Sequence, residues 1–266
     1  LIGLGGCLLD TDYVGDLPTT TPTTTTFVVV TTTDYTNGSV TLISTDSFFV
    51  SQDMLSIGSD NRVVTDGSTT YILERSLGNL IRIDTFSFAS PNLTYQQSIG
   101  TATNPHDIVI ASPTKGYVTQ NLSPNIAIVN PSTGVVTGTI PLNVAPYLND
   151  GETVPYMSDA IIVGDKAYIA LQRLEIVQVV DWGPTPQYVD STGMIVVINT
   201  ATDAVEASIN LTTGNPDKMD TLGGYLYVSS TGAWASLTDG TVEKINLSTN
   251  TNEGAVITEA SFGGNI

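Results

Sequence analysis

Gly116-Tyr117-Val118-Thr119-Gln120-Asn121, then Asn125-Ile126-Ala127-Ile128-Val129-Asn130-Pro131-Ser132-Thr133-Gly134, then Thr139-Ile140-Pro141-Leu142, set the architecture of this 266-residue chain. Each piece is a short run of β-branched and aromatic residues, and each is bounded by Asn, Pro, Ser or Gly, so the stretch reads as consecutive antiparallel strands with tight turns. No helical period interrupts it.

The pattern recurs on both sides. Tyr71-Ile72-Leu73 leads to Leu80-Ile81-Arg82-Ile83-Asp84, and Tyr168-Ile169-Ala170 leads to Ile195-Val196-Val197-Ile198-Asn199. Tyr227-Val228-Ser229 leads in the same way to Val242-Glu243-Lys244-Ile245-Asn246. Asn104-Pro105 and Asn215-Pro216 precede their Tyr residues by similar distances and fix the register a second time. A degenerate first unit spans Phe27 to about Ile57, with Ser39-Val40-Thr41-Leu42-Ile43 as its second strand. The units differ mainly in one connection, which is long after Tyr168 and shorter after Tyr227. A four-strand unit with two apolar faces cannot stabilise itself alone. Radial stacking buries both faces and leaves short edges, which predicts an all-β protein, a β-propeller of four-stranded blades with about five blades present. A β-sandwich is the alternative, but it has no need of the repeated Tyr-to-Asn spacing.

The quoted stretch resembles the YVTN-family β-propeller repeat, which is named for its Tyr-Val-Thr-Asn strand, and Ile195 to Leu211 is a second good match. The resemblance covers roughly residues 27–266. It implies a propeller of the kind found in surface-layer, periplasmic and envelope lipoproteins and in unrelated enzymes, so it speaks for fold more than for activity. Such propellers are commonly seven-bladed, so five units suggest a fragment of a larger ring.

Residues before the repeats point to a cellular address. Leu4-Gly5-Gly6-Cys7 looks like a bacterial lipobox, in which the Cys is lipidated and becomes the mature N-terminus. On this reading residues 1–6 are a residual signal segment. Residues 7–26 are then a lipid-attachment Cys followed by a Thr/Pro-rich linker, since Thr19 to Thr26 lacks the apolar material to fold. The expected location is the bacterial cell envelope, periplasmic or surface-exposed, with membrane contact through a lipid anchor only. No apolar run reaches the 18 or more residues of a spanning helix.

Composition agrees. Charged residues are 13% of the chain, against a usual ~25%, with 8 Lys and Arg, 26 Asp and Glu, and a net charge of −18. A surface this acidic repels phosphate backbones, so nucleic acid is not an expected partner. The single cysteine excludes an internal disulfide.

Candidate site residues fall into three groups. His106, the only histidine, sits where the family resemblance places the start of an innermost strand, facing the channel or its rim. It reads first as a hydrogen-bonding residue and second as a ligand contact. Asp107, Asp159 and Asp220 stand 10, 9 and 7 residues before their Tyr. Radial symmetry would gather such carboxylates at the channel mouth, where hard oxygen ligands suit Ca²⁺. The competing reading is an Asp that caps a turn. The longest insertion, Gln172 to Gly193, carries Arg173, Trp182 and Tyr188, and a shorter one carries Trp234. Aromatic anchors on a long loop over a rigid scaffold predict a protein or glycan ligand at the propeller face. The expected function is a lipid-anchored binding scaffold without catalysis. The alternatives are a propeller enzyme (a calcium-dependent hydrolase or lactonase, or an oxidoreductase with its cofactor in the channel) and a surface-layer component.

Overall fold

A computed structural model describes residues 26–45, 49–51, 53–67, 69–87, 90–179, 183–186, 192–233, 236 and 238–261. Cys7, Trp182, Tyr188 and Trp234 lie outside the described residues. Five antiparallel sheets follow one another along the chain as blades I to V. Blade I has three strands, β1 (Phe27–Thr33), β2 (Asn37–Ser44) and β3 (Leu55–Gly58). Only Ser59 and Asp60 separate β3 from the next blade, which leaves no chain there for a fourth strand.

Blade II is β4 (Asn61–Asp66), β5 (Thr69–Glu74), β6 (Asn79–Ser87) and β7 (Ser90–Ser98). Blade III is β8 (Pro105–Ser112), β9 (Lys115–Gln120), β10 (Asn125–Asn130) and β11 (Val135–Pro141). In blade IV, β12 (Met157–Val163) and β13 (Lys166–Leu171) precede a small hairpin, β14 (Ile176–Val179) and β15 (Gly183–Pro186). The blade then resumes with β16 (Met194–Asn199) and β17 (Ala204–Asn210). Blade V is β18 (Pro216–Leu222), β19 (Tyr225–Ser230), β20 (Thr241–Asn246) and β21 (Thr251–Thr258). Among the described residues there is no α-helix, only a 3-10 turn at Glu259–Ser261. No helix among them is long and apolar enough to cross a membrane.

The first strands of the blades, β1, β4, β8, β12 and β18, pack side by side in chain order and form the inner wall. Blades II to IV are covered on both sides, so every residue of β5, β9 and β13 after the first is buried. A strand buried on both faces needs apolar residues at every position, which is why Ile195-Val196-Val197-Ile198 runs without alternation. Between blades III and IV, for example, Tyr117, Ile126 and Ile140 pack against Ile169, Val196 and Ile198. In β2 and β19 buried residues alternate with half-exposed ones.

The recurring Tyr and Asn of the sequence have distinct duties. Asn130, Asn199 and Asn246 end their blades' third strands, and each side chain accepts backbone N–H groups two or three residues on, closing the next turn. Each turn then passes through a left-handed residue, at Gly134 (φ 73°), Asp203 (φ 56°) and Asn250 (φ 52°), the residue types that tolerate it. The Tyr reaches forward to the following blade's turn. Tyr117 donates to Asp203 Oδ1 at 2.5 Å, and Tyr168 donates to Asn250 Oδ1 at 3.2 Å. Where that position is Gly134, with no side chain to offer, Tyr95 and Arg82 of blade II bond the Pro131 carbonyl instead, at 2.9 and 2.7 Å.

Candidate functional site

In blades II to V tight turns join the strands at one end, while the long connections, 142–156, 172–193 and 231–240, emerge at the other; the 45–54 connection of blade I lies at the tight-turn end. The long-connection end is where the inner strands of blades II to V begin. Asn104, Tyr156 and Asn215, each immediately before an inner strand, are left-handed, with φ of 50°, 55° and 59°. Their carbonyls accept the N–H groups of Asn121, Gln172 and Thr231 at 2.9 to 3.1 Å. From these positions an amide relay crosses three blades. Asn121 Nδ2 donates to Gln172 Oε1 (3.1 Å), Gln172 Nε2 to Asn215 Oδ1 (2.6 Å), and Asn215 Nδ2 to Thr231 Oγ1 (2.7 Å). The three amide residues are buried, so the relay satisfies polar groups that have left water.

Just inside this end, on the axis, side chains from four blades meet. Arg62 Nη2 donates to Asp159 Oδ1 at 2.8 Å and lies 3.4 Å from Asp107 Oδ2. Lys218 Nζ donates to the same Asp159 oxygen at 3.0 Å. Both carboxylates also clasp the following blade. Asp107 Oδ2 accepts Ala160 N–H (3.1 Å), and Asp159 Oδ2 accepts Met219 N–H (2.9 Å). Pairing slips by a residue at the starts of β8, β12 and β18, the stretches that carry Asp107, Asp159 and Lys218. Such a bulge re-aims a side chain, here toward the axis.

The electrostatics follow from burial. Burial pushes the Asp107 carboxyl well above its usual range. Arg62 pulls it back, Asp159 adds to the rise, and the Ala160 and Ile108 amides oppose it. Burial also works against the charge on Arg62, but the two carboxylates outweigh it and hold its pKa above the ordinary value. His106 stands beside this group. Burial, reinforced by Arg75, Arg62 and Lys218, pushes its imidazole down to about 3, so it is neutral at physiological pH. Its Nε2 then accepts from Arg75 Nη2, whose other nitrogens bond Asn104 Oδ1 and Asp60 Oδ1, both at 3.1 Å.

The structure therefore brings Asp107, Asp159 and His106 together at the channel mouth. Asp220 stands apart on the exposed part of β18, its Oδ1 accepting Thr221 N–H at 2.7 Å. Among the described residues no group of three or more His, Cys, Asp or Glu side chains is arranged to hold a metal ion. Arg62 and Lys218 are members of this charged group that spacing alone could have revealed, since each stands 9 residues before its Tyr, as Asp159 does. Arg173 lies at the same end, at the base of the insertion that carries β14 and β15. An open cavity of about 460 Å³, lined by Thr32, Ser39, Asp53 and Ser56, belongs to blade I and lies away from this group.

No protein-family model matches the chain, and no curated protein matches it in sequence. Its structure is similar to β-propellers. BamB from Moraxella catarrhalis superimposes with a TM-score of 0.52 and 13% identity, over 86% of this chain and 60% of BamB. PpgL, a periplasmic gluconolactonase of Pseudomonas aeruginosa, gives 0.60 and 10%, over 87% of this chain and 66% of that one. The WD40 propeller domain of Doa1 gives 0.57 and 9%, over 86% and 64%. The chain thus spans about three fifths of the length of these structures, and at such identities the likeness shows the fold: an all-β propeller with five blades.

Proposed function

We propose that this propeller is an extracytoplasmic binding scaffold whose ligand, a protein or a glycan, docks on the end where the long connections emerge. One observation carries the reading, namely the segregation of the long connections of blades III to V to that end of a rigid, two-sided stack. The charges at the axis support binding over chemistry, because Asp107 and Asp159 are occupied by backbone amides and by Arg62 and Lys218. Cys7 would carry a lipid, with residues 8–26 as the spacer that holds the blades away from the membrane. The test is capture of envelope components by the wild-type chain and by Trp182→Ala/Tyr188→Ala. Loss of one component with an unchanged melting temperature supports the scaffold, and an identical captured set refutes it. Incorporation of labelled fatty acid that persists in Cys7→Ala would refute the anchor.

A second reading, a hydrolase or lactonase, draws on the meeting of Asp107 and Asp159 beside His106 at the channel mouth. Lactone hydrolysis that is lost in Asp159→Asn, with folding retained, would favour it over the scaffold.

A further inference from the structure

Seven of the eight basic residues hold a carboxylate at 2.5 to 3.3 Å. Arg173 is the exception. Among the described residues it has no carboxylate partner, although the chain has 26 Asp and Glu. Its backbone is clamped from two sides. The N–H donates to Pro155 O at 3.0 Å, the carbonyl accepts Asn149 Nδ2, and φ is 52°. This geometry fixes where the side chain begins. The guanidinium spans the stem of the long insertion, with Nη1 donating to the carbonyl of exposed Thr192 at 3.2 Å. Nε is buried and has no acceptor.

A buried N–H without an acceptor is destabilising, and a guanidinium without a counter-charge among the described residues adds to that cost. Burial, the sole influence on it, lowers the Arg173 pKa. The unused side of the fork, Nε–H with Nη2, is the edge that meets the two oxygens of a carboxylate in parallel. The net charge of −18 narrows the choice further, because the protein's field repels polyanions and penalises a single negative charge least.

We propose that Arg173 is the anchor of a site for a small organic monocarboxylate at the long-connection end of the propeller. The inference deepens the binding reading above and rests on it for the location of the ligand face. On binding, the carboxylate completes the Nε–Nη2 fork and supplies the missing counter-charge, and no covalent step is involved.

The test follows the arginine side-chain Nε–H signals of the ¹⁵N-labelled full chain by NMR. Arg173 is assigned as the signal lost in Arg173→Lys. Sodium acetate and then lactate are added at constant ionic strength, with chloride and inorganic phosphate as controls. The expected result is a saturable shift of the Arg173 signal alone and, by isothermal titration calorimetry, an affinity at least tenfold weaker in Arg173→Gln. No saturable shift, or equal shifts of all four arginines, overturns the proposal, and the wild-type titration separates these outcomes even if a variant fails to fold. A response to phosphate but not to acetate overturns the monocarboxylate assignment. Failure here with partner capture intact removes the carboxylate site and leaves the scaffold reading standing. An identical captured set with the Arg173 shift intact removes the scaffold reading and leaves the carboxylate site.

Discussion

Arg62 on the inner strand of blade II donates to Asp159 on the inner strand of blade IV, 97 residues away and 2.8 Å distant. The bond passes over blade III, whose Asp107 lies 3.4 Å from the same nitrogen. One guanidinium thus ties three blades together at the point where the inner strands converge, and Lys218 brings in a fourth.

Removing that guanidinium leaves two buried carboxylates with Lys218 as their remaining cation. Arg62→Met should cost about 2–3 kcal/mol, short of a fully buried pair because Arg62 retains some contact with water. Denaturant unfolding of Arg62→Met, Asp159→Asn and the double variant checks it. The double variant should be more stable than the sum of the two losses predicts, and strict additivity would count against the hub.

The inter-blade Tyr bonds make a graded prediction. Tyr117→Phe leaves a buried ring and deletes the hydroxyl that bonds Asp203 at 2.5 Å, an acceptor whose carboxylate makes the bond charge-assisted. The expected loss is about 1.5 kcal/mol, against about 0.5–1 for Tyr168→Phe, whose acceptor is the neutral Asn250 amide at 3.2 Å. Equal losses would mean that acceptor charge does not set the strength of these contacts.

His106 should make stability depend on pH on the acid side. Its folded pKa is about 3, against an ordinary 6.5, so below pH 6.5 the unfolded chain binds a proton that the folded one refuses. Stability from this group is complete above pH 6.5 and is lost as pH falls toward 3. His106→Gln can still accept from Arg75 and lacks the titration. Its unfolding midpoint relative to wild type should therefore improve between pH 7 and pH 4, and a pH-independent difference would rule out the buried neutral imidazole.

Local interactions were legible in the sequence and convergent ones were not. Asn130, Asn199 and Asn246 announce their turns because each acts on N–H groups two or three residues away. The Tyr repeat gives the blade period, yet the partners of Tyr117 and Tyr168 lie on the following blade, beyond any local pattern. Asp107 and Asp159 could be grouped by their distance from Tyr, but the same reasoning chose Asp220. The bulge at the start of β18 instead puts Lys218 at the position equivalent to Asp159. Arg62 and Lys218 look like ordinary surface cations until the repeats are aligned on Tyr. One column then reads Arg, Asp, Asp, Lys, with Asp107 a single residue out of step. Arg173 could be singled out by its place in the longest insertion, but that no carboxylate among the described residues meets it follows from three-dimensional packing.

Asn215 joins two of these devices, and its variants separate them. It is left-handed at φ 59°, and its buried amide accepts from Gln172 and donates to Thr231. Asn215→Gly keeps the backbone free to turn and removes only the amide, which leaves Gln172 Nε2 without an acceptor at a cost of about 1–3 kcal/mol. Asn215→Ala removes the amide and also forces a β-carbon into the left-handed region, which adds about 1 kcal/mol. Ala should therefore be the less stable of the two in thermal or denaturant unfolding, reversing their usual order within strands and helices. If Ala matched or exceeded Gly, the left-handed turn would not be held against a cost. The relay alone would then explain why an Asn stands before Pro216.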